Sequence, residues 1–543
     1  PPDASGLRAI VAEYFALHPE WGETPCPPGG WCAWGDLAQH EEPLCDFGLL
    51  YHEGPSPAGA RTCNALGVRN LPYIEPSMYQ QYHGDMNRAP TIEEAWQRLR
   101  YNASAPLTEV IAARPDESHR LWVQAISAAI ATNPIRDSDG EPIRPLPGNW
   151  PWIGGTNYGA QFPLNLCPGV PGGVGQERLQ EVERALAQPG VDGHYLDSYS
   201  VWMTVRDYST QNLSASRFPP SFNEQLRPAT LIALPAMEWV EEVRKRLGPT
   251  QQCILPNCFD LNAPFPWHQF DVLGKEYWVP PTGEMMAQFR AVGFHKVVTQ
   301  LPSYGKDPDR HWFKRMLLYD VFPGGYANTG AETPRQLRAI YRHLIPALRL
   351  LHRLQWQPRT GATCDQPQVL VERYGAGPGP VAFVVVNEGP PARITLDVDA
   401  RAVGLPVGAA CLDPLGESTF EWEWNDQELR VATLLATGET ALCVIADREG
   451  QARLWELWAQ DRLEDVAFCM REYALRTGQQ HPLADRALAL PWSATPDTVA
   501  ALDTFAAELT PERPLLVRAK ELVQDAADRI RRHVEGPPIT SQP

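Results

Sequence analysis

The chain lacks the short signatures that most directly announce a chemistry. No GxGxxG follows an early strand pattern, which weakens a dinucleotide site. No GxSxG is present, so a serine-hydrolase elbow has no sequence support. The 13 histidines form neither HExxH nor HxH, and the 11 cysteines include no CxxC and no regular framework. Asp137-Ser-Asp139-Gly140 begins like a calcium loop but lacks the glutamate that closes one. No apolar run approaches the roughly 20 residues that span a bilayer. Lys and Arg are scattered in a chain of net charge -18, so no basic patch offers itself to a nucleic-acid backbone. Internal repeats are absent. What these absences leave is a globular chain of 543 residues, long enough for several domains, whose chemistry rests on acids and aromatics.

Eighteen Trp and 17 Tyr are a generous supply. Aromatic rings stack on the apolar faces of sugars, and they also fill large cores. Cys26 and Cys32 bracket a Pro-Gly-Gly turn at a spacing that allows a disulfide, whereas Cys167, Cys253 and Cys443 sit in apolar runs as expected of buried thiols. Asn102-Ala-Ser and Asn212-Leu-Ser are glycosylation triplets. The first residue is Pro1 rather than Met, which fits removal of an N-terminal segment; a bacterial cytoplasm and a secreted or periplasmic location both stay open.

Residues 1–43 read as a helix followed by an aromatic, turn-rich loop. From 44 to 354 strand-like and helix-like stretches alternate. The strands are read at 45–54, 68–75, 162–169, 191–197, 252–260, 269–276 and 295–305, with a weak eighth around 321–330. Helices are expected near 91–101 and 116–132, and the loop from Arg136 to Gly155 reads as a lid or binding loop. Such alternation favours parallel βαβ units, and eight of them favour an α/β fold of the closed (β/α)8 TIM-barrel type. Between 355 and 449 short alternating runs separated by Gly, Pro, Asn and Asp predict an antiparallel β-sandwich. From 450 to 543 the pattern is amphipathic helix with i,i+4 ion pairs, an α-helical tail that packs on the barrel or joins copies into a homo-oligomer.

The stretch GHYLDSY, residues 193–199, is central. It runs from a glycine turn through a short apolar strand to Asp197. In a barrel, residues at the C-terminal strand tips build the active face. Glu276 ends another apolar strand in the same manner. Cleavage of a glycosidic bond needs two carboxyl groups, one to protonate the leaving oxygen and one to attack the anomeric carbon or activate water. Asp197 and Glu276 fit those needs and require no cofactor and no metal. The structural alternative for Asp197 is a strand-end cap or a salt bridge. Asp46 and Glu75 are tip acids read as substrate ligands, and Asn165, Tyr199, Trp202, Asn257, Tyr277, Trp278, Gln300 and Tyr304 are further candidate sugar contacts.

GHYLDSY, DVLGKEYW at 271–278 and the strand VAFVVVNEG at 381–389 together resemble a retaining glycoside hydrolase barrel of the α-galactosidase and endo-α-N-acetylgalactosaminidase kind. The resemblance covers roughly residues 44–450. It implies Asp197 as nucleophile, Glu276 as acid/base, and an oligosaccharide, polysaccharide or glycoconjugate as substrate. The competing expectation is a non-catalytic carbohydrate-binding or scaffold protein on a degenerate barrel.

Overall fold

The computed structural model of the chain describes residues 6–33, 35–149, 158–257, 265–276, 282–301, 310–326, 332–510 and 513–536. They form two compact units, one of residues 1–70 and 271–543 and one of residues 71–270.

The larger unit holds two parallel ladders. Gly30–Ala33 pairs in parallel with Gly325–Tyr326 on one side and Leu49–Glu53 on the other, with Arg69–Leu71 beyond. Val272–Glu276, Val297–Leu301 and Val321–Pro323 form the second. The Trp31 backbone N–H donates to Thr299 Oγ1 at 3.1 Å, joining the ladders. Gly30–Ala33 and Val297–Leu301 are buried at every position, as expected of parallel strands covered on both faces.

Next come two antiparallel sheets. Trp356–Gln357, Val369–Tyr374, Val381–Asn387, Thr440–Ala446 and Ala410–Leu412 make one; Ala362–Cys364, Ala392–Asp399, Glu428–Leu435 and Glu421–Asn425 make the other. Their apolar residues share one core that includes Phe383, Val385, Leu396, Val431 and Ile445. The tail is helical at Arg448–Thr477, Pro496–Glu508 and Pro514–Glu535. Trp458 Nε1 donates to Asp525 at 2.9 Å, which pins the last helix to the first. The buried ion pair Arg349–Asp465 (2.6 Å) and the half-buried pair Arg353–Asp461 (2.7 Å) tie the Arg448–Thr477 helix to the Glu332–Leu354 helix.

The smaller unit has its own parallel ladder of Tyr73–Ile74, Gly193–Leu196 and Cys253–Pro256. Gly193 is required here, because a Cβ at that position would lie 1.8 Å from the Cys253 carbonyl oxygen. Helices Ile92–Ser104 and Glu117–Thr132 match their periodicity, and the first carries a Thr91–Glu94 capping box.

Among the described residues the parallel strands lie in three ladders. Several expectations are corrected. The stretch 162–169 is not a parallel strand. Tyr158–Pro163 is the middle of an antiparallel sheet between Met78–Tyr82 and Leu146–Asn149, since periodicity reports a strand but not its direction. Gly30–Ala33 is a strand paired on both sides instead of part of the aromatic, turn-rich loop; four buried residues carry no alternation to reveal it. Cys26 and Cys32 are separate buried thiols. Asn102 and Asn212 are buried and hydrogen-bonded, so neither triplet presents its amide. The expected lid is described over 136–149, where it ends in the strand Leu146–Asn149; its last residues, 150–155, lie outside the described residues.

Candidate active site

The site is built from the smaller unit's ladder. Helix Val174–Leu186 buries Leu179, Val182 and Leu186, and Gly190 turns the chain at φ 71° into the strand. Gly193–Leu196 is buried throughout. Its parallel register sets Tyr73 opposite Tyr195 and Ile74 opposite Leu196. The Asp197 N–H donates to the Ile74 carbonyl (2.7 Å), and the Asn257 N–H donates to the Leu196 carbonyl (2.8 Å). Glu75, Asp197 and Asn257 therefore share one row at the C-terminal tips of three adjacent strands.

Asp197 is half-buried and receives four hydrogen bonds. Tyr73 Oη (2.6 Å) and Ser198 Oγ (3.0 Å) donate to Oδ2. Tyr195 Oη (3.1 Å) and Asn257 Nδ2 (2.8 Å) donate to Oδ1. These neutral donors hold the carboxylate in one orientation and solvate its charge. Among the described residues no Lys or Arg pairs with it, so the salt-bridge form of the structural alternative is not seen there. Ser198 adopts φ 51°, a left-handed conformation that costs a non-glycine residue on the order of 1 kcal/mol and recurs at functional turns. Ser77 Oγ braces that turn through the Ser198 carbonyl at 2.5 Å.

Glu75 is the second acid of the row. Gln80 Nε2 donates to it at 2.7 Å. Burial, and then the charge of Asp197, push its carboxyl up to about 8, against the opposing pull of Gln80 and Arg178. At neutral pH it is a carboxylic acid, a hydrogen-bond donor beside a carboxylate. A cavity of about 710 Å³ opens at Glu75, lined among others by Tyr73, Gln80, Trp122, Arg178 and Glu181. Arg178 is fixed over the Trp122 ring (5.4 Å to the centroid) by Glu181 (2.7 Å) and the Met78 carbonyl (2.7 Å).

The other sequence candidates divide. Asn257 joins Asp197, as described. Asn165 is buried and donates to Asp207 (2.7 Å) in a network with Asn212, so its amide is spent inside the fold. Tyr199 is fully buried against Trp267 and Phe270, with its hydroxyl unpartnered among the described residues. It is a core residue rather than a sugar contact, because the turn at Ser198 directs the chain inward. Trp202 is half-buried, and its indole N–H has no partner among the described residues.

In the larger unit Asp46 is buried among arginines, with Arg338 Nε at 2.6 Å and Arg518 Nε at 2.5 Å. It is an ion-pair hub for the helical tail rather than a substrate ligand. Gln300 is buried, its amide without a partner among the described residues. Glu276 is half-buried at the end of Val272–Glu276, level with Leu301. Tyr277, Trp278 and Tyr304 lie outside the described residues. Sequence reasoning missed Tyr73, Tyr195 and Ser198. The tyrosines stand two residues before Glu75 and Asp197, the period at which strand side chains share a face, so that signal was present.

The unpartnered Tyr199 hydroxyl yields a test. Tyr199→Phe removes a buried group that makes no hydrogen bond among the described residues, so the melting temperature is expected to stay or rise, by up to about 1 kcal/mol of stability. Thermal denaturation with an activity assay checks it; a marked loss of either would show that the hydroxyl has a partner or a role.

No protein-family model matches the chain, and no curated protein matches it. Solved structures do. A family-27 β-L-arabinopyranosidase from Geobacillus stearothermophilus is similar at 12% identity and TM-score 0.41, over 79% of this chain and 98% of that one. A cycloisomaltooligosaccharide glucanotransferase from Paenibacillus sp. is similar at 9% identity and TM-score 0.44, over 77% and 85%. A family-36 α-galactosidase from Geobacillus stearothermophilus is similar at 8% identity and TM-score 0.42, over 79% and 59%.

Proposed function

We propose that the chain is a glycoside hydrolase whose nucleophile is Asp197. The observation that carries this reading is the Asp197 carboxylate itself. It stands at a parallel-strand tip, is oriented by four neutral donors, is unneutralised by any described cation, and neighbours a carboxyl that stays protonated. The architecture in this reading is a (β/α)8 barrel followed by a β-sandwich and a helical tail.

In the proposed reaction an Asp197 oxygen attacks the anomeric carbon while the bond to the leaving oxygen breaks. Glu276 delivers the proton that the leaving oxygen takes up. Water then attacks the glycosyl-enzyme ester, giving its proton to Glu276 and releasing the sugar with retained configuration. Glu75, as a neutral acid, donates a hydrogen bond to a sugar hydroxyl. Neither step uses a cofactor.

A panel of aryl glycosides, followed by proton NMR of the first anomer released, tests the activity and its stereochemistry. Absence of turnover on the panel and on natural glycans would favour the binding or scaffold reading. The role of Glu276 has its own test. Glu276→Gln is expected to lower kcat/KM by about 10²–10⁴-fold on substrates with poor leaving groups, and far less on dinitrophenyl glycosides, which leave without a proton. An equal loss on both substrate types would exclude Glu276 as the proton donor.

A further inference from the structure

A second cavity, of about 600 Å³, lies in the larger unit between the loops around 406–416 and the two long tail helices. Its charge is unlike that of the chain as a whole, which carries -18. Arg448, Arg529, Arg532 and His533 all line it. The acids in its wall are already engaged by backbone N–H groups. Asp413 accepts from Leu415 (2.8 Å), Glu417 (2.7 Å) and Ser418 (2.5 Å), and Asp447 accepts from Gly450 (2.8 Å).

The cations are positioned differently from one another. Arg529 is locked, with Nε on Asp525 (2.9 Å), Nη1 on the Pro414 carbonyl (2.5 Å) and the guanidinium 4.1 Å from the Trp458 ring centroid. Arg448 and Arg532 are exposed, and among the described residues neither has a carboxylate partner. Arg532 makes one bond, to the Asp528 carbonyl at 3.3 Å. Arg448 occupies the first turn of the Arg448–Thr477 helix, where a cation opposes the helix dipole. The fold therefore gains nothing from its charge at that place. Burial and the nearby Arg448 charge lower the proton affinity of the His533 imidazole, with Glu456 opposing.

Two unpaired guanidiniums at a wall whose acids are occupied suit an oxyanion, which forked N–H donors bind well. The volume exceeds what a bare ion fills and lies in the range of small-molecule sites. We propose that this cavity binds a sugar-sized anionic ligand, a phosphorylated or carboxylated saccharide, through the oxyanion. None of its lining residues belongs to the site around Asp197; the oxyanion part of the inference rests on the arginines, and the saccharide part rests on the proposed function.

The test is calorimetric titration of the full chain at low salt with glucose 6-phosphate, glucuronate, inorganic phosphate and glucose. At least one anionic sugar is expected to bind at least about tenfold more tightly than glucose and than inorganic phosphate. Whichever of the two binds better identifies phosphate or carboxylate as the anion. Arg448→Gln and Arg532→Gln, both surface changes whose folding is checked by thermal melting, are each expected to weaken that binding by about tenfold or more. Asp197→Asn is expected to leave it intact, which separates this site from the candidate active site. Inorganic phosphate binding as tightly as the sugars would overturn the saccharide assignment. No binding, or binding indifferent to both arginine variants, would overturn the site.

Discussion

Asp197→Gly is expected to lose about 10³-fold or more in kcat, on the order of 4 kcal/mol of barrier, and to recover part of it when azide is supplied. Azide occupies the space of the missing carboxylate and attacks the anomeric carbon in its place. The product of a retaining enzyme is then a glycosyl azide of inverted configuration, identifiable by NMR. Asp197→Asn distinguishes chemistry from folding. Its amide keeps the shape of the carboxylate; with the new nitrogen in the place of Oδ2, the Tyr73 and Ser198 hydroxyls can rotate to accept from it. Tyr195 and Asn257 keep donating to the remaining oxygen in the place of Oδ1. The variant should therefore melt within about 1–2 kcal/mol of the parent while turning over as slowly as the glycine variant. Parental turnover by Asp197→Asn would remove Asp197 from the chemistry.

Glu75 carries the largest expected pH effect. Its carboxyl has an ordinary value of 4.5 in the unfolded chain and is raised to about 8 in the folded one. Below about pH 4.5 both states hold the proton, and stability is unaffected by this group. Between about 4.5 and 8 the folded state holds the proton and the unfolded state has lost it. Stability then falls as pH rises, by at most about 1.4 kcal/mol per pH unit, and the fall levels off above about pH 8. Water in the adjoining cavity screens part of this, leaving a few kcal/mol in all. Glu75→Gln fixes the neutral form, so its melting temperature should decline less between pH 5 and 8.5 than the parent's. Activity should follow the same group. The parent's kcat/KM is expected to drop above about pH 8, as Glu75 ionises beside Asp197 and ceases to be a donor. The glutamine variant should keep a functional donor and lose that alkaline limb. Matching pH profiles for parent and variant in both measurements would mean that Glu75 is charged at neutral pH.

How much of this was legible beforehand follows from what each signal measures. Helices 92–104 and 117–132 and six of the nine strands of the two antiparallel sheets stand in the sequence, because alternation and helical spacing are local properties; the short strands Trp356–Gln357, Ala362–Cys364 and Ala410–Leu412 do not. The acid at 197 stands there too, since an apolar run ending in a carboxylate after a glycine turn marks a strand tip. Strand direction does not, which is how 158–163 came to be antiparallel. Nor does the use to which a polar side chain is put. Asp46 and Asp197 look alike as tip acids, yet one lies among arginines from residues nearly 300 and more than 450 positions away, and the other meets hydroxyls and an amide.

The sequence alone determined the alternating composition of the chain, its change of texture near 355 and 450, the want of any standard metal or nucleotide signature, and Asp197 as the acid at the end of a buried strand. Tertiary structure decided which tyrosines and which asparagine orient that acid, that Glu75 stands beside it and keeps its proton, and that Asp46, Asn165 and Tyr199 belong to the interior. The reason is physical. Strand and helix periodicity arise from neighbours a few residues away, whereas the charge state and orientation of a side chain arise from desolvation and from partners brought close only by folding.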